Sequence, residues 1–324
     1  MPTPHPPNQQ NPQTASHETR GLWFGLLGVT IFAMTLPMTR LAVGPAADPQ
    51  LPPAFVTAGR AALAGGLSVA YLWLTRAPAL QRRHVPALGV SALGTVLGFP
   101  LFVGLALRHV DAMHAAVVTG LMPLATAIAA AFYFRQRPSN GFWACAVLGC
   151  AMVLLFAAWR GGGALAPADG LLLLAVFSTA VGYVAGAKVA AELPAEQVIC
   201  WVLVLSLPLT VPAMLATWPA ASVRASAWVG FGYVTLFSMW LGFFAWYRGL
   251  ALGGTVRVSQ IQLVQPFLAL LFAVPVLGET IDATTVAFSL AVIAVVFIGK
   301  QMPARAPMAR PVPQPLQTPR PPQP

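Results

Sequence analysis

Apolar runs fill this chain, so the polar side chains embedded in them are the ones that need a chemical reason. Thr255, Ser259, Gln262 and Pro266 recur at i, i+4, i+7 and i+11, on one stripe of a helix, with Gln265 beside it. Such a stripe suits a polar ligand: Gln262 and Gln265 offer amide donors and acceptors, Ser259 offers a hydroxyl, and Pro266 opens the backbone ladder nearby. The same groups would equally serve interhelical hydrogen bonding, worth about 0.6 kcal/mol per bond in membrane bundles.

Arg60 lies six residues inside an apolar run that begins at Ala54, which puts it roughly 9 Å below a membrane boundary. A cation at that depth needs a partner. Asp111, Glu279 or Asp282 could form a structural ion pair or a gate with it; alternatively it meets a carboxylate on a ligand. Trp240 and Tyr183 lie near mid-depth, where a ring could stack on an aromatic or cationic ligand or simply pack. Trp246 and Tyr247 fall near a span end and read as interfacial belt residues.

Equally informative is what the apolar runs lack. All eight acids fall in tails, loops or span ends, which leaves no carboxylate at the midplane to relay protons or hold sodium. There is no HExxH motif, no embedded aspartate pair and no GxSxG turn, so an enzyme is not expected. Cys145, Cys150 and Cys200 have spacings that suit neither a disulfide nor a zinc site, and they read as packing residues. No metal or cofactor is expected.

The elements that must position these groups follow from composition. Of the 324 residues 57% are hydrophobic and only 8% charged, against about 25% charged in soluble proteins. Lipid must therefore be the solvent for most of the chain. A helix needs about 20 apolar residues to cross a bilayer, and ten such runs occur: 21–43, 54–74, 86–107, 112–134, 142–159, 170–190, 197–218, 226–247, 254–277 and 283–300. The runs are continuous rather than alternating, which excludes a β-barrel. An all-α membrane protein is expected, with little room for a soluble domain.

Net charge is +10, and its distribution argues for topology rather than nucleic-acid binding. With the amino terminus inside, twelve basic residues fall on the inner side and four (Arg40, Arg108, Arg160, Arg224) outside, with Arg60 and Arg257 intramembrane. Both termini are then cytoplasmic. Residues 1–20 are polar and rich in Pro and Gln, and residues 301–324 contain nine prolines; both are expected to be disordered cytoplasmic tails.

Between the tails the chain repeats itself. LGFPLFVGLAL at 97–107 matches LGFFAWYRGLAL at 241–252, and Leu121-Met122-Pro123 aligns with Val264-Gln265-Pro266 at an offset of 143. The two units, 21–159 and 169–300, hold five spans each. Five is odd, so the second is expected to be inverted about an axis in the membrane plane, an arrangement that sets a binding site near the midplane. The offset makes Thr119 the counterpart of Gln262 and His114 the counterpart of Arg257. His114 and Arg257 then lie about one turn inside opposite faces, where they could act in gating or an ion pair, or snorkel to head groups.

Taken together these features resemble the EamA-like family of the drug/metabolite transporter superfamily. The residues that carry the likeness are Arg60 in the second span, the GLAL segments at 104–107 and 249–252, Pro123 and Pro266, and Gly278-Glu279 ending the ninth span. It covers about residues 20–300. The resemblance implies a carrier that is frequently an exporter of amino acids, other metabolites or toxic compounds. Sixteen Arg against two Lys, with abundant Ala, Gly and Pro, suggests a genome rich in G and C, and in a bacterium such a protein is expected in the inner membrane. The expectation is thus a secondary transporter for a small molecule, embedded in the lipid bilayer, working by alternating access. A membrane sensor or assembly partner without flux is the alternative, and a homodimer is left open.

Overall fold

A computed structural model of the chain describes residues 12–133, 137–190, 192–253, 258, 260–301 and 304–305. Eight helices are long and apolar enough to cross a membrane: α1 Thr19–Val43, α2 Pro53–Leu74, α3 Arg82–Ala106, α4 Ala112–Tyr133, α5 Asn140–Arg160, α6 Pro167–Ala190, α7 Glu196–Ala216 and α8 Ala225–Leu252. Two shorter apolar helices, α9 Ile261–Leu277 and α10 Ala283–Gly299, complete the ten. A two-residue bridge pairs Arg137–Pro138 with Ala304–Arg305 in antiparallel register. The expected all-α membrane architecture is therefore present.

Helix ends follow local chemistry. Pro53 opens α2 with its φ already set and no N–H to satisfy, and the Ser139 hydroxyl caps α5 by accepting from the Phe142 N–H at 3.3 Å. α9 ends at Gly278, whose φ of 70° is left-handed, a conformation that glycine adopts without strain. α8 departs from expectation by running past Tyr247 to Leu252, so Trp246 and Tyr247 lie about 8–9 Å inside the helix end rather than at a boundary.

Several spans are broken by proline. The ring of Pro123 cannot donate to the Thr119 carbonyl and crowds it, and α4 divides into Ala112–Thr119 and Met122–Tyr133. Its counterpart Pro266 does the same in α9, where a 3₁₀ turn over Gln260–Val264 passes into α-helix at Gln265. In α1 the break falls at Met34, three residues before Pro37. Both α3 and α8 contain a widened π segment, Ala92–Gly98 and Val234–Leu241, at corresponding places in the repeat.

Packing follows the duplication as well. α1 lies against α8 as α6 lies against α3, while α2 pairs with α7, α4 with α9 and α5 with α10. Close approach at the first two crossings depends on glycine. A Cβ on Gly94 of α3 would stand 2.2 Å from the Ser178 carbonyl oxygen and 2.9 Å from the Gly182 Cα of α6; one on Gly249 of α8 would stand 2.6 Å from the Gly25 nitrogen of α1. Small residues are what allow membrane helices to approach this closely. The outer surface carries Trp73, Phe132, Trp159 and Phe177, each more than half exposed, which only hydrocarbon can cover.

The Gly94 contact is backbone against backbone, so a larger residue cannot be accommodated by a rotamer change. Gly94→Val is expected to destabilise the bundle by about 1–3 kcal/mol or more, read as a lower melting temperature of detergent-purified protein. Gly66→Val, at a position with open space around it, should leave the melting temperature within a degree or two.

Candidate functional site

The breaks in α4 and α9 fall side by side at the centre of the bundle, and they open a cavity of about 720 Å³. Thr119, Gln262 and Gln265 line it at the two breaks, and Tyr183 lines it from α6. Thr119 is held by its hydroxyl, which donates to the Ala115 carbonyl at 2.8 Å. Of the six candidate ligand-contacting residues these four come together. Ser259 and Arg257, like Thr255, lie outside the described residues.

Trp240 is a correction. It does not line the cavity; its ring sits 4.8 Å from Phe244 and 6.4 Å from Tyr71 in a cluster between α2 and α8. Trp246 and Tyr247, read from sequence as belt residues, instead line the cavity with Phe32 and Phe243. Depth explains it, since a helix that continues for another turn and more carries those rings inward. Their spacing of three and four residues from Phe243 was the available signal.

From the main cavity a recess of about 60 Å³ shares Thr119, Tyr183, Gln262 and Gln265 as walls and runs to Arg60, with Phe99 and Met239 among its apolar walls. Arg60 is 3% exposed. One Nη donates to the Ser238 Oγ at 3.1 Å, and Ser238 Oγ lies 2.8 Å from the Thr35 Oγ1. The Nε has no hydrogen-bond partner. None of the expected acids reaches it, because each is engaged at the membrane face. Asp111 lies 3.9 Å from Arg40, and Asp282 accepts from Arg160 at 3.0 Å. Glu279 accepts the Ala112 and Met113 N–H groups at 2.8 and 2.9 Å. The ion pair expected of Arg60 is therefore absent among the described residues.

His114 does make an ion-pair contact, with a partner that sequence reasoning missed. Its Nε2 lies 2.6 Å from Asp169 Oδ1, both groups being buried, and its ring lies 5.2 Å from Phe156. The other carboxylate oxygen of Asp169 accepts the Ala166 N–H at 2.8 Å, closing the start of α6. Both residues stand about one turn inside the same face, on α4 and α6, and that shared depth was the legible clue. His114 does not line the cavity.

That face, carrying the loops after α1, α3, α5, α7 and α9, is fastened between the two halves of the chain. Besides His114–Asp169 and Arg160–Asp282, Arg224 pairs with Asp48 and donates its backbone N–H to Gln50 Oε1 at 3.0 Å. Gly278 turns the chain so that Glu279 reaches back onto the first turn of α4, where a carboxylate is favoured by the free N–H groups. At the opposite face, Arg83 meets Glu192 at 2.7 Å. The cavity reaches towards this second face, where Ala130, Ala190 and Ala251 line it. No charged side chain lines the main cavity and no carboxylate lines the recess among the described residues.

Comparison with known proteins supplies the family. The model of the EamA-like transporter family matches residues 19–158 and again 166–299, so the chain contains the unit twice. The Uncharacterized transporter YdeK of Bacillus subtilis (strain 168) is 42% identical over 277 residues, covering 85% of this chain and 95% of its own. A solved crystal structure covers 87% of this chain and 98% of its own at 21% identity with a TM-score of 0.59, a likeness of fold. Cavity, repeats and sequence agree: this chain belongs to the EamA-like transporter family.

Proposed function

We propose that this transporter exports small metabolites, amino acids or toxic compounds among them, across the bacterial inner membrane by alternating access. The observation that carries the reading is the cavity at the paired breaks of α4 and α9, fastened at one face and extending towards the other. Five spans per repeat is odd, so the second repeat enters the membrane inverted, and a site between inverted repeats can open to either side. The excess of Arg and Lys lies on the face towards which the cavity extends, which supports a cytoplasmic position for that face and for both termini. Opening then consists of releasing the fastenings at the outer face while the inner end closes.

Cells overproducing the protein should resist a subset of a panel of amino acids, toxic analogues and lipophilic cations, with lower intracellular content of the same compounds. Resistance to none of them, with the protein verified in the membrane, overturns export. In a background free of Cys145, Cys150 and Cys200, Thr119→Cys and Gln262→Cys should react with a small polar thiol reagent and be protected by a transported compound. Inertness at both positions overturns the cavity assignment.

Glu279 gives the cycle a pH dependence whose sign is fixed. Burial pushes its carboxyl above the ordinary glutamate value, the Ala112 and Met113 N–H groups and Arg40 act against that, and Asp111 adds to it. With the outer face open, Glu279 is solvated and returns to its ordinary value. The closed state thus binds the proton more tightly, and acid favours closure. Lowering pH from about 7.5 to about 5.5 should slow labelling of Ala116→Cys by an impermeant reagent added outside, relative to the same cysteine combined with Glu279→Gln. Equal ratios at both pH values would show that Glu279 does not report on the gate.

A further inference from the structure

Arg60 is the only charged side chain lining either space among the described residues, and no carboxylate among them pairs with it. Burying a guanidinium without a counter-charge is strongly unfavourable, and arginine does not escape by losing its proton. The surroundings offer hydroxyls in place of an acid. Ser238 and Thr35 are linked to the guanidinium, while Thr95 and Thr179 line the same recess. Two of these groups are left incomplete: the Arg60 Nε and the Thr179 Oγ1 are buried without a hydrogen-bond partner. Both atoms belong to side chains that line the recess, and a buried polar atom without a partner is unfavourable, so the two together point to a missing acceptor.

Size and charge specify that acceptor. The recess, at about 60 Å³, has room for a small anionic head but not for a molecular body. The adjoining cavity, at about 720 Å³, is apolar on the side of Phe32 and Phe243 and has amides at Gln262 and Gln265. We propose that the Arg60 recess is an anion subsite that takes the carboxylate of a small organic acid, whose apolar body lies in the main cavity against Phe32 and Phe243. A carboxylate supplies a planar pair of acceptors that matches the guanidinium fork, with oxygen lone pairs left over for the threonine hydroxyls. This assignment rests on the main cavity being the transport site and adds the substrate's charge to it.

Binding of three probes of similar shape tests the proposal: 3-phenylpropionate, 3-phenylpropanamide and 3-phenylpropylamine, titrated against the full-length protein in lipid nanodiscs. The acid should bind at least about ten-fold more tightly than the amide, and the amine most weakly, because Arg60 repels it. Arg60→Gln should abolish the preference for the acid by weakening the acid far more than the amide, and Arg60→Lys should keep part of it. Should Arg60→Gln fail to fold, Thr179→Val and Ser238→Ala must each reduce the ratio of acid to amide affinity. Equal binding of acid and amide by the unaltered protein overturns the subsite, as does an acid preference that survives Arg60→Gln. If no probe binds to protein whose Thr119→Cys reacts from the cavity, the subsite falls and the cavity reading stands. If Thr119→Cys and Gln262→Cys are both inert, the cavity reading itself has failed.

Discussion

Hydrocarbon offers no hydrogen bonds, and that single constraint governs where this fold can be irregular. A helix can be interrupted in a membrane only where protein or a cavity receives the freed backbone groups. Pro123 and Pro266 interrupt α4 and α9 at matching positions, and the protein places both interruptions at its centre, away from lipid. The cavity and its polar walls are thus consequences of the same two prolines: Thr119 and Gln262 sit one turn before each ring, where the helix can no longer use their carbonyls.

Charge is handled differently at the face and at the centre. At the face carrying the loops after α1, α3, α5, α7 and α9, three arginines have acids, Arg40 with Asp111, Arg160 with Asp282 and Arg224 with Asp48, His114 contacts Asp169, and Arg108 donates to the Leu51 carbonyl. Exposed pairs of this kind contribute about 0–1 kcal/mol each, so each is easily broken. The buried His114–Asp169 contact is the firmer one, since separating it would leave buried polar groups without their partners. Arg60 alone has been given hydroxyls, and the positive potential in the recess is what remains.

The span pattern, the duplication and the central prolines were legible in sequence because they depend on periodicity and composition, which lipid makes extreme. Gln262, Gln265, Thr119 and Tyr183 could be read as inward-facing for the same reason: polar groups turn away from hydrocarbon. What was not legible depended on depth and partner choice. Arg60 was expected to find an acid, yet the acids hold to the membrane face, because a carboxylate there keeps backbone donors and water. Trp246 was expected at a boundary, yet α8 runs more than a turn past Tyr247, while Trp240 packs with Phe244 and Tyr71, a choice of partner that spacing alone does not show. Asp169 read as an ordinary span-end acid, and only the packing of α6 against α4 shows that it is buried on His114.

The glycine crossings bear on mechanics. Gly94 holds α3 against α6, and Gly249 holds α8 against α1, each contact joining a helix of the first repeat to one of the second. Backbones in such contact slide poorly and separate only at the loss of many dispersion contacts. The unit that was duplicated is therefore not a separate packing unit. Helices of both copies are interleaved, so neither half of the chain is a body by itself, and a substitution in one copy is felt by helices of the other.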